Sequence, residues 1–86
     1  MDLISPFWFA QRQGKAEPVA SDTFRLTAPN LKPAFISIRA GPSGQWLATL
    51  QLELDGPELA ATPDQFEKRE DAWDAAFELY RTHIVV

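Results

Sequence analysis

Eighty-six residues, 45% of them hydrophobic and including three Trp, six Phe and one Tyr, suffice for one domain with a single core and little surplus stability. Such a composition lies well away from chains that stay disordered. The absence of cysteine excludes disulfide staples, thiolate zinc sites and thiol catalysis together, and the formal charge of −4 withholds the attraction that dominates nucleic-acid affinity.

That charge is uneven. Residues 1–33 carry four basic and three acidic groups, residues 34–66 one and four, and residues 67–86 three and five. An acidic chain has no reason to seek anionic membranes. The start, Met1-Asp2-Leu3-Ile4-Ser5-Pro6, has no basic leader, and its short apolar stretch runs into Gln11-Arg12-Gln13, so no signal peptide is expected. No run approaches a membrane span, and a cytoplasmic protein is expected.

Along the chain, residues 3–10 (L-I-S-P-F-W-F-A) form a short apolar block with three consecutive aromatics, in which Pro6 would start or edge a strand. Residues 11–22, polar and holding Gly14 and Pro18, read as a connector. Thr23 to Thr27 alternate, with Phe24 and Leu26 on one side and Arg25 on the other. Pro29-Asn30 and Pro33 punctuate a loop. Ala34 to Ala40 alternate again, Ile36 and Ile38 opposing Ser37 and Arg39. The turn Gly41-Pro42-Ser43-Gly44 then predicts a hairpin to the strand Q-W-L-A-T-L-Q-L, where Trp46, Ala48, Leu50 and Leu52 oppose Gln45, Thr49 and Gln51. Asp55-Gly56-Pro57 reads as a turn and Glu58 to Ala61 as a brief further strand. In the C-terminal segment Ala72, Trp73, Ala76, Phe77, Tyr80 and Ile84 recur at spacings of three and four, with acidic residues early and Arg81 and His83 late, the polarity a helix dipole favours. Two starts are open: near 63, with Thr62-Pro63-Asp64-Gln65 as a capping box, or near 69, with Phe66 left at a strand end.

No constellation supports catalysis. His83, the single histidine, stands at a helix end with no motif around it. The serines Ser5, Ser21, Ser37 and Ser43 have no nucleophile-elbow context. Gly41 and Gly44 are turn glycines without phosphate-loop spacing. Glu67, Glu70, Asp71 and Asp74 lack the loop spacing of a calcium site and read as a solvated helix face. Phe7-Trp8-Phe9 is the block that a fold of this kind absorbs least readily. Adjacent residues on a strand point to opposite faces, so one ring should be exposed unless both faces are covered. The block is then either an extra edge strand or lid over the helix, or an anchor for a partner. The open sheet face would present Arg25, Ser37, Arg39, Thr49, Gln51 and Glu53.

Phe35 to Tyr80 resembles the ethylene-response-factor (Apetala-type) DNA-binding domain and the related arm-binding domains of phage integrases. The resemblance rests on Gly44-Gln45-Trp46-Leu47-Ala48-Thr49-Leu50, similar to that family's G-K-W-x-A-x-I strand, and on Phe66 followed by Glu70-Asp71-Ala72-Trp73 and Ala75, similar to its F-x-T-x-E-E-A-A-x-A helix entry. It implies a three-stranded antiparallel sheet on one C-terminal helix, with the wet face of the sheet in the major groove. Of the arginines that face would need, Arg39 sits comparably, and Gln51 stands where a DNA-contacting arginine is implied.

The expected fold is therefore α+β: three or four antiparallel strands packed on one C-terminal helix, with 1–22 an aromatic segment and connector, 23–61 the sheet and 63–84 the helix. Trp46, Leu50, Leu52, Ile36, Ile38, Phe24, Trp73, Phe77 and Tyr80 are the expected core. The expected function is a small non-enzymatic protein-interaction module without metal or cofactor. It would bind a protein partner or a second copy through Phe7, Trp8 and Phe9 or through the open sheet face. The alternative is a nucleic-acid-binding domain using Arg25, Arg39 and Gln51 on that face, which the acidic charge disfavours.

Overall fold

The alternation within 34–40 and 45–52 is realised as the two central strands of an antiparallel sheet. The computed structural model describes residues 6–20, 22–53, 56–62 and 65–85. Segment 1–5, Ser21, Asp55, Pro63 and Asp64, touched on above, lie outside them. The elements in chain order are a short helix α1 (Phe7–Gln11), strands β1 (Lys15–Ala20), β2 (Thr23–Thr27), β3 (Ala34–Ala40), β4 (Trp46–Gln51) and β5 (Glu58–Ala61), and helix α2 (Arg69–Tyr80), which runs on into a π-helical turn over Arg81–Val85. The sheet has five strands in the order β1-β2-β3-β4-β5, each antiparallel to its sequence neighbour, with α2 packed on one face.

The register explains the burial. Phe24, Ile36, Leu50 and Ala60 lie in one cross-strand row, and Ile38 pairs with Ala48. This row faces α2, whose Ala72, Trp73, Ala76, Phe77 and Tyr80 are all buried at the spacing the sequence shows. Trp73 meets Phe24 and Phe77 edge-on at 4.8 and 5.0 Å. Of the expected core, Phe24 and Trp46 pack against it only partly buried. Leu52 is a correction. It is 42% exposed, because β4 ends at Gln51 and the chain bends away before Leu52 can continue the alternation.

Residues 11–22 are not a connector throughout, since 15–20 form the edge strand β1. Pro18, which argued against a strand, is tolerated because β1 has a neighbour on one side alone, and the register shifts between Pro18 and Ala20. The aromatic block is helical rather than extended. Pro6, at φ −59°, precedes the first turn and its carbonyl accepts the N–H groups of Phe9 and Ala10. The helix closes at Gln13 (φ 59°), with Gln13 N–H donating to the Ala10 carbonyl and Gly14 N–H to that of Phe9.

Of the two starts open for α2, the later one is found. Phe66 exchanges two backbone hydrogen bonds with Trp46, of 2.6 and 3.2 Å, which holds it extended against β4. Nor does the Thr62 hydroxyl cap a helix: it accepts the N–H of Ala48 at 2.9 Å and so fills a place in the ladder. Glu70 and Asp71 occupy the first turn of α2, where the dipole favours them. Arg69 pairs with Asp22, a residue at φ 58° whose carbonyl accepts the Ile38 N–H, so the β1–β2 turn anchors the helix start.

Candidate functional site on the open sheet face

With α2 on one face, the opposite face of the sheet is assembled by register from alternate residues: Glu17 of β1, Thr23 and Arg25 of β2, Phe35, Ser37 and Arg39 of β3, Leu47, Thr49 and Gln51 of β4, and Glu58 and Ala61 of β5. The strands that were to share this face are indeed neighbours, but its chemistry differs from the expectation. Arg25 pairs with Glu17 at 3.6 Å across β1 and β2. Arg39 donates to Glu58 at 2.9 Å, joining β3 to β5 across the width of β4. Neither guanidinium is left as a lone cation: one pair lies on the β1–β2 side of the face and the other spans β4. Exposed pairs of this kind add little stability but cancel the local field.

Thr49, expected on a wet face, retains only 2% of its surface, sitting on the strand that the Arg39–Glu58 pair crosses. Thr23 and Ser37 hydroxyls meet at 3.1 Å. Gln51, where the resemblance implies a DNA-contacting arginine, donates its Nε2 to the Gly56 carbonyl at 2.7 Å, bracing the turn into β5. Glu53 lies beyond the end of β4 and does not belong to the face.

Two large apolar residues of this face escaped the sequence reading: Phe35, flanked in register by Arg25 and Gln51, and Leu47, opposite Arg39. Both are partly exposed. The signal was present, since each is the odd member of its alternation, Phe35 against Ile36 and Leu47 against Trp46. Apolar side chains on the side opposite the helix belong to the second face. The face thus carries two separate apolar side chains, Phe35 toward one end and Leu47 toward the other, each beside an ion-paired arginine, with Ser37 and Thr49 between them.

The aromatic block is divided by its helix. Phe9 is fully buried, meeting Phe77 and Tyr80 edge-on at 5.1 and 5.6 Å, and Trp8 is half-buried against Phe9 and Phe77 with the Arg81 guanidinium 5.9 Å from its ring. Phe7 alone of the three is presented to solvent, at 77% exposure. Since α1 packs on α2, Phe7 stands on the side of the sheet away from the open face. Of the three aromatics first considered for a partner, Phe9 is structural and Trp8 largely so.

His83 is exposed in the π-helical turn and meets no carboxylate among the described residues. Among those residues no three His, Asp or Glu side chains group so as to hold a metal ion, and no helix is long and apolar enough to cross a membrane. Burial pushes the Tyr80 hydroxyl above its usual range, the Arg12 charge opposing, and the hydroxyl has no hydrogen-bond partner among the described residues. No family model, curated protein or solved structure matches this chain.

Proposed function

We propose that this chain is a small non-enzymatic protein-interaction module that binds its partner through the open sheet face. The observation that carries the reading is the composition of that face, where the partly exposed Phe35 and Leu47 stand beside arginines already paired with Glu17 and Glu58. Protein interfaces mix apolar side chains with polar groups in this way, whereas a phosphate-binding face keeps its cations unpaired. Phosphate binding would require both arginines to exchange a carboxylate for each phosphate, on a chain of charge −4. An isolated His83 and an acidic helix face give no acid–base pair to build a reaction on.

The test is binding to immobilised wild type and to Phe35→Glu, the latter first shown to melt like wild type, from a nuclease-treated lysate. A protein retained by wild type, lost by Phe35→Glu and held nearly unchanged between about 50 and 200 mM salt supports the reading. Retention of nucleic acid from an untreated lysate, falling steeply over that salt range, refutes it and assigns the face to phosphate.

A further inference from the structure

Four large apolar side chains of the described surface are open to solvent: Phe7, Val19, Leu52 and Leu59. The last two form a ridge. Leu52 and Leu59 both line each of two clefts at the end of the sheet where β4 turns into β5, and so stand between them. The cleft on one side, about 280 Å³, carries the carboxylates of Glu53 and Glu58. The cleft on the other, about 460 Å³, is walled by Leu31 and Ile84 and carries Lys32 and His83. Glu58 is engaged by Arg39, whereas Glu53, Lys32 and His83 make no ion pair among the described residues.

Across the ridge the surface therefore reads acid, leucine, cation. A strip with an apolar centre and opposite charges at its ends is complementary to itself about a two-fold axis through the centre. Half a turn lays leucine on leucine and sets each free carboxylate against a free ammonium. A foreign partner would need the inverse pattern, which a second copy carries already. The two sheet edges differ in the same sense. Lys15 and Pro18 on β1 deter addition of a further strand, and β5, beside the ridge, has neither.

We propose that the chain forms a two-fold homodimer through the Leu52–Leu59 ridge, each Glu53 facing Lys32 of the partner subunit. The interface meets the open face at Glu58, which lines the acidic cleft, and includes neither Phe35 nor Leu47. Covering the ridge and its clefts would bury on the order of a tenth of the 5356 Å² surface of the described chain, at the small end of specific interfaces, so the dimer is a weak one.

Sedimentation velocity from about 10 µM to about 1 mM, at low salt, tests this directly. Wild type should pass from monomer to dimer across the range. Lys32→Glu sets two carboxylates together twice, Glu53→Lys two ammonium groups, and each should weaken association at least about tenfold. The double variant Lys32→Glu/Glu53→Lys should regain wild-type association, and an equimolar mixture of the two single variants should form mixed dimers. Phe35→Glu should dimerise as wild type does, which separates this outcome from that of the open-face reading. Lys32 and Glu53 are exposed, so their variants should keep the wild-type melt. A wild type that stays monomeric throughout overturns the proposal and leaves the ridge to a foreign partner. So does a double variant that associates no better than the singles.

Discussion

Phe9 and Phe7 lie two residues apart in the same short helix and should respond to truncation very differently. Phe9 has no accessible surface and its ring meets Trp8, Phe77 and Tyr80 at 5.7, 5.1 and 5.6 Å. A buried phenyl removes about 150–250 Å² from water, and at about 25 cal/mol per Å² this amounts to roughly 4–6 kcal/mol, part of which an alanine would retain. Edge-on ring contacts add about 0.5–1.5 kcal/mol each. Phe9→Ala should therefore cost about 4 kcal/mol, in keeping with measured Phe truncations of about 3–5 kcal/mol. A domain of this length has about 4–13 kcal/mol in total. The melting temperature should fall by about 20 °C, or the chain should fail to fold at room temperature. Phe7→Ala, at a site 77% exposed, should cost less than about 0.5 kcal/mol and shift the melt by at most about 3 °C. Thermal unfolding followed by far-ultraviolet circular dichroism of both variants decides the matter. A Phe9→Ala melt within about 5 °C of wild type would refute the packing of α1 on α2. The same reasoning implies that replacing Phe7, Trp8 and Phe9 together unfolds the protein instead of isolating a binding site.

Two further predictions concern the same cluster. Tyr80 is the single tyrosine, so absorbance near 295 nm reports its ionisation directly, and onset should come at higher pH in the folded protein than in urea. Its folded pKa is raised above the unfolded value of about 10, so the contribution is constant below that pH. As pH climbs further the unfolded chain ionises first, and stability is lost. Tyr80→Phe should remove that part of the alkaline slope and, because the hydroxyl has no partner, leave stability at neutral pH within about 1 kcal/mol of wild type. A Tyr80→Phe variant with an unchanged alkaline slope would contradict the burial. Gly14→Ala brings a methyl within 2.5 Å of the Phe9 ring, too close unless the ring gives way, and should cost about 1–3 kcal/mol by urea unfolding. In the Phe9→Ala background that penalty should vanish, and strict additivity of the two changes would count against the contact.

Strands β2, β3 and β4 and the stripe of α2 were legible because one face of each is buried and period two or 3.6 survives in the residue types. β1 was not. Pro18 reads as a breaker, and only an edge position makes it harmless, which is a property of the sheet and not of the segment. The helix α1 is five residues long, too short for periodicity to speak, and is held by Phe9 docking on Phe77 and Tyr80. Thr62 looked like a cap because Ser and Thr hydroxyls commonly take that part, yet the same hydroxyl can serve a strand N–H, and here Ala48 claims it. On the open face the arginines were legible as residues but their pairing with carboxylates was not. It depends on Glu17 and Glu58 arriving from the two outermost strands.

The order of the sheet bears on how the folded state is reached and kept. With every strand beside its sequence neighbour, the meander assembles by closing short loops, each at small entropic cost. The docking of α1 on α2 is the opposite case, since Phe9 is separated from Phe77 and Tyr80 by most of the chain and their contact closes a very long loop. Its loop-closure cost is large and is offset only by contacts already made, so it is expected to form after the rate-limiting barrier. Weakening it then hastens unfolding and leaves the folding rate almost untouched. On that expectation the N-terminal aromatic is a latch, setting how long the native state lasts far more than how quickly it is found.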